Sequence, residues 1–145
     1  MIFSAFPHAK VIHVNRNPAA TCWSNYKHYF ENKGLGFSYD LDTIVKYFGL
    51  YKDLMRFWLF HYGDRIYNFN YENLTINQDD ETKNLIKYIG VKWEDSCLSP
   101  QNNKRTVRTA SQQQVRRKVY QGSSQHWRKF EPYLNGAFDQ LTGLD

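Results

Sequence analysis

Residues 9–24, AKVIHVNRNPAATCWS, constrain the fold more than any other stretch of this chain. Val11, Ile12 and Val14 are β-formers and read as a short buried strand over about Lys10 to Val14. Asn17 is a good N-cap, and Pro18 suits the first helical position. Arg16 therefore falls at the carboxyl end of a strand and beside a helix N-terminus. Open α/β sheets bind ligands at that place, and a helix N-terminus with an adjacent Arg favours an anionic group. Ser24 lies on the helix face of Ala20 and His28 by i, i+4 spacing. A solvated Arg at a Pro-capped helix start is the plainer alternative.

The rest of the chain continues this pattern. The first helix is expected from Pro18 to about Phe30, followed by a loop punctuated by Gly34, Gly36 and Ser38. A long helix is expected over Leu41 to Tyr62, with Ile44, Val45, Phe48, Tyr51, Met55 and Trp58 in a stripe at helical period. Its opposite side also carries Leu50, Leu54 and Phe60, which predicts burial around most of its circumference. Arg65 to Asn70 alternates apolar and polar and reads as a second strand, with Tyr71-Glu72-Asn73-Leu74 at its end. Asp79, Asp80 and Glu81 enrich the first turn of the next helix, and Gly90 is its stop. Strand, helices, strand, helix is α/β ordering with few parallel strands flanked by helices. The whole chain, residues 1–145, reads as one domain with a thin sheet.

Composition narrows the classes. With 11 Tyr, 10 Phe and 4 Trp the chain is not of a disordered type. The formal net charge is +5. Between Gln101 and Phe130 the basic residues include Lys104, Arg105, Arg116, Arg117, Lys118 and Arg128, with no Asp or Glu among them. Such a field suits a polyanion, either a small cofactor or a nucleic acid. Cys22 and Cys97 have neither zinc nor redox spacing, so Cys22 reads as a packed hydrophobe, and a reducing, cytoplasmic compartment is expected. No metal site, no membrane span and no signal peptide are expected.

Three constellations, in order along the chain, carry a resemblance. A strand, then Arg16-x-Pro18, then Ser24 eight residues after the Arg, resembles the 3′-phosphate-binding segment of sulfotransferases that use 3′-phosphoadenosine 5′-phosphosulfate (PAPS). Tyr71-Glu72-x-Leu74 after a strand is similar to a pattern of the same family, whose tyrosylprotein branch places the Tyr beside the adenosine. Thr109-Ala-Ser111-x-x-Gln114-Val115-Arg116-x-Lys118-x-Tyr120, followed by Ser123-Ser124-x-x-Trp127-Arg128-x-Phe130, resembles the C-terminal cofactor segment of bacterial and tyrosylprotein-type members. Ser123 or Ser124 is expected to cap a last helix, with Trp127, Phe130 and Leu134 packed inward.

The resemblance implies a partial P-loop-NTPase-like sulfotransferase fold, with this chain as the C-terminal half of the catalytic domain. Arg16 and Ser24 would clamp the 3′-phosphate of the cofactor, and Tyr71 would flank the adenosine. Ser111, Gln114, Val115, Arg116 and Lys118 would line the nucleotide. His28 stands where the tyrosylprotein branch has an Arg, and could reach the same phosphate when protonated. The family's 5′-phosphosulfate loop is not among these residues and is expected upstream of Met1, as is the general base. His13, in the first strand, reads as a core or edge residue. The chain alone is then expected to catalyse little, because transfer to an acceptor hydroxyl or amine needs the leaving-group clamp and the base in one site. An upstream half or a second copy is the expected partner. A non-catalytic partner subunit and a basic nucleic-acid-binding module are the competing readings, and the chain carries no recognised nucleic-acid signature.

Overall fold

The computed structural model describes residues 2–31, 34–106 and 114–143. In chain order the elements are α1 (Ile2–Ala5), β1 (Val11–Asn15), α2 (Pro18–Tyr26), α3 (Leu41–Tyr62), β2 (Ile66–Asn70), α4 (Tyr71–Ile76) and α5 (Gln78–Ile89). The C-terminal part is built of short 3₁₀ stretches, the longest over Ser123–Tyr133. β1 and β2 pair in parallel, with Val11 opposite Ile66 and Val14 opposite Phe69. A parallel pair needs a long crossover, and α2 and α3 provide it. No helix among the described residues is long and apolar enough to cross a membrane.

The local chemistry explains where elements begin and end. The Asn17 side chain accepts the Ala20 N–H at 3.0 Å, with Pro18 in the first turn of α2. The Asp40 carboxylate starts α3 by accepting the Thr43 hydroxyl at 2.6 Å and its backbone N–H at 2.7 Å. Those two bonds hold the Asp40 carboxyl below its usual range. Asp79, Asp80 and Glu81 occupy the first turn of α5, and Gly90 closes it in a left-handed conformation at φ +80°. Lys10 reaches across from the start of β1 and donates to the Tyr88 and Ile89 carbonyls at 2.6 and 2.9 Å, satisfying the end of α5.

The core sits between α2, α3 and the C-terminal turns. Ala19, Cys22, Ile44, Val45 and Phe48 pack with Leu134, Phe138 and Leu141. On the other side of the sheet the Tyr88 hydroxyl donates to the Arg65 carbonyl at 2.8 Å, and its ring stacks on Tyr67.

The structure corrects several expectations. α2 ends at Tyr26 rather than near Phe30, so His28 lies beyond the helix. Tyr71 opens a short helix, because the Asn70 side chain caps it by accepting the Asn73 N–H at 2.8 Å. β1 is not buried: Ile12 and Val14 are exposed, since two strands leave part of a parallel sheet uncovered. α3 is buried only at Ile44, Val45 and Phe48, while Leu50, Leu54, Phe57 and Phe60 face outward. Twenty-two residues of helix run about 33 Å, and five-residue strands about 17 Å, so α3 outruns the sheet beneath it. The last helix is 3₁₀ rather than α, and Pro132 within it cannot donate an i→i−4 bond. Gly122, not a serine, stands at its N-cap, and no side chain caps it. Leu134 is buried as expected, but Phe130 is partly exposed and lies against Trp23 instead.

Candidate functional site

A cavity of about 390 Å³ opens where the end of β1, the outer face of α2, the start of α4 and the C-terminal segment converge. Its cations are Arg16, Lys27, Arg117 and Lys118, with His126 at the same wall. No carboxylate is among its described lining residues. Ala20, Trp23 and Ser24 present one face of α2, as i, i+3 and i, i+4 spacing requires. Tyr71, Val115, Tyr120 and Trp127 add apolar surface. A polar, cationic floor with aromatic walls suits an anionic ligand that carries a planar ring.

Arg16 is the best-anchored cation of the site. Its guanidinium lies over the Tyr71 ring, 4.8 Å from the centroid. Its Nε donates to Ser124 Oγ at 3.3 Å. The Ser124 hydroxyl donates in turn to Glu72 Oε1, which also accepts the Asn17 backbone N–H at 3.2 Å. The Tyr71 hydroxyl and the Ser123 hydroxyl are 3.0 Å apart and hydrogen-bonded. Two adjacent pairs, Tyr71-Glu72 and Ser123-Ser124, are thus joined by hydrogen bonds, with Tyr71 and Ser123 on the cavity wall.

The structure brings Arg16, Ser24, Tyr71, Val115 and Lys118 together around this one cavity. It does not bring His28 there: that ring packs edge-on against Phe30, and Lys27 takes the place on the wall. Arg116 also turns away, donating to the Arg105 carbonyl at 2.6 Å. Gln114 opens a 3₁₀ turn over Gln114–Arg116, and Ser111 lies outside the described residues. Lys27 was not singled out by sequence, and Arg117 and Glu72 enter it only within the basic run and the Tyr71-Glu72-x-Leu74 motif. Lys27 has a signal, standing three residues after Ser24 as the C-cap of α2; Glu72 has none, since its partner Ser124 is 52 residues away.

Arg16 also borders a second cavity of about 320 Å³, walled by Phe37, Tyr47, Phe48 and Tyr51. Behind it His13 is fixed from both ring nitrogens, Nδ1 at 2.8 Å from Asn68 Oδ1 and Nε2 on the Tyr51 hydroxyl. Burial pushes the Tyr51 phenol above its ordinary value. Among the described residues no cluster of three or more His, Cys, Asp or Glu could hold a metal.

Comparison with known proteins bears on this site. The sulfotransferase family matches residues 1–95, a span that contains Arg16, Ser24, Tyr71 and Glu72. An uncharacterized protein of Aquifex aeolicus (strain VF5) is 34% identical over 143 residues, which is 97% of this chain and 19% of that protein. The chain thus spans about a fifth of the length of that relative. No solved structure matches the chain. With the family match extending over most of the chain and including the end of β1, α2 and the start of α4 that help build the cavity, this chain belongs to the sulfotransferase family.

Proposed function

We propose that this chain supplies the 3′-phosphate- and adenosine-binding half of a sulfotransferase of the bacterial or tyrosylprotein type, with PAPS as donor. The observation that carries the reading is the placement of Arg16 between Tyr71 and Ser124 at a cavity whose other charged groups, among the described residues, are basic. The donor set fits the nucleotide. A phosphate monoester offers several acceptor oxygens, and a guanidinium fork, a hydroxyl and ammonium groups are its usual partners. The cavity lies within the size range of small-molecule sites, about 300–1,000 Å³.

In this reading Arg16 and Ser24 bind the 3′-phosphate, and Lys27 supplies the second cation that the family resemblance puts at His28. Tyr71 flanks the adenosine. Val115 and Lys118 line the nucleotide, with Arg117 beside them, and Ser111, Gln114 and Arg116 belong to the same segment. PAPS, when bound, supplies the sulfuryl group for transfer to an acceptor hydroxyl or amine. The work of these residues is to hold the leaving group, 3′,5′-adenosine bisphosphate, by its phosphate and ring. The phosphosulfate clamp and the base belong to another part of the catalytic domain. The two free thiols, Cys22 and Cys97, support a cytoplasmic, reducing location.

Calorimetric titration with 3′,5′-adenosine bisphosphate, with 5′-AMP as control, tests the reading. Tight binding of the bisphosphate and weak binding of AMP is the expected result. Equal binding of the two ligands, or binding of neither, overturns the assignment of a 3′-phosphate site in this chain.

A second reading has its own observation. Leu50, Leu54, Phe57 and Phe60 leave an apolar strip along α3, and β1 leaves Ile12 and Val14 exposed. A surface of that kind suits a partner chain or a second copy. Sedimentation velocity showing a monomer at all concentrations removes this reading.

A further inference from the structure

We propose that Glu72 and Ser124 are positioning residues that aim Arg16 into the cavity through one chain of hydrogen bonds; the proposal rests on the reading of that cavity as a 3′-phosphate site.

Ser124 is 5% exposed, and its hydroxyl has a partner on either side. It accepts from Arg16 Nε and donates to Glu72 Oε1. The same carboxylate oxygen accepts the backbone N–H of Asn17, the residue that caps α2. One oxygen of Glu72 therefore fixes both the start of the helix that carries Ser24 and the hydroxyl that holds Arg16. A long Arg side chain has many rotamers, and a ligand that must select one of them binds more weakly. Engaging Nε while the ring of Tyr71 supports the guanidinium plane removes most of that freedom and leaves the fork of terminal nitrogens to face a phosphate. Glu72 acts on Arg16 through the hydroxyl, so an acceptor oxygen at position 72 is what the chain of bonds requires.

The test is titration with adenosine bisphosphate and with 5′-AMP, read as the ratio of the two affinities. Ser124→Ala and Glu72→Ala are each expected to lower the preference for the bisphosphate about three- to tenfold, the range of one lost hydrogen bond. Ser124→Thr and Glu72→Gln, which keep the hydroxyl and the acceptor, are expected to restore most of it. The double alanine variant is expected to be no worse than either single one, because both break the same chain. A merely structural role would weaken both ligands alike and leave the ratio unchanged, and that result overturns the proposal. If the ratio survives both alanine variants but collapses in Arg16→Ala, the positioning role falls while the nucleotide reading stands. If Arg16→Ala leaves the ratio intact, both fall. Near-UV circular dichroism reports the fold of each variant, and Glu72→Ala, at a half-buried residue, decides the matter if Ser124→Ala does not fold.

Discussion

Arg16 and Tyr71 are 55 positions apart in sequence, yet the guanidinium of one lies 4.8 Å over the ring centroid of the other. The contact joins the end of β1 to the first residue of α4, and the Tyr71 hydroxyl carries it on to Ser123. Tyr71→Phe keeps the stacked ring and loses the hydroxyl bond. Tyr71→Ala loses both, about 1–2 kcal/mol together. Titration with adenosine bisphosphate is expected to rank wild type above Tyr71→Phe, and Tyr71→Phe above Tyr71→Ala. Equal affinities across the series would mean that Tyr71 has no part in nucleotide binding.

Arg16→Ala is expected to have the largest effect of any single change in the cavity. A hydrogen bond from a charged donor to a phosphate contributes roughly 1.5–3 kcal/mol, which is about tenfold or more in affinity. The loss should fall on the bisphosphate and spare 5′-AMP, which lacks the 3′-phosphate. The same calorimetric titration measures it, and an unchanged dissociation constant for the bisphosphate removes Arg16 from the site.

Features that depend on a few neighbouring residues were legible in the sequence. Asn17 and Pro18 at the start of α2, the bounds of α3 and the Gly90 stop of α5 are local signals, and each stands where the pattern puts it. The convergence of Arg16, Ser24 and Tyr71 was legible only through the order of three motifs, because no local rule brings residues from separate elements together. What depends on packing was not legible. The stripe on α3 says which residues are apolar and nothing of what covers them, so Leu50 and Phe60 read as core and are surface. One turn of helix decided between His28 and Lys27: a helix reaching Phe30 would have aligned His28 with Ser24, and ending at Tyr26 gives the wall to Lys27. The strand ends at Asn70 as its alternation predicts, but the cap that Asn70 offers to Asn73 three residues on is a helix start that the alternation does not reveal.

Asn17 serves α2 and the site by different atoms, which allows the two roles to be separated. Its side chain accepts the Ala20 N–H, and its backbone N–H donates to Glu72. Asn17→Ala removes only the first, at a cost of about 1 kcal/mol, a fall in thermal midpoint of about 3–4 °C for a chain of this size. Asn17→Asp keeps an acceptor and should recover most of that loss. Thermal unfolding followed by circular dichroism checks both. A midpoint unchanged in Asn17→Ala would mean that the cap does not stabilise the helix.

Cys22 and Cys97 are expected to differ sharply in reactivity. Burial pushes the Cys22 thiol from 9.0 up to about 12, because the core penalises the thiolate. At pH 8 a disulfide reagent should label the half-buried Cys97 first and reach Cys22 only when the core opens. The raised value also sets a sign for stability. Below about pH 9 both folded and unfolded chains keep the proton, and the contribution of Cys22 is intact. Between 9 and about 12 the unfolded chain releases the proton and the folded chain does not, so stability falls as pH rises, by about 1.4 kcal/mol per pH unit for this one group. Tyr51 and Tyr67, whose phenols burial also raises, pull in the same direction at higher pH. Urea unfolding at pH 8 and pH 10 should therefore show a smaller drop in Cys22→Ala than in the wild type. An identical drop in both would mean that Cys22 is not the group that titrates.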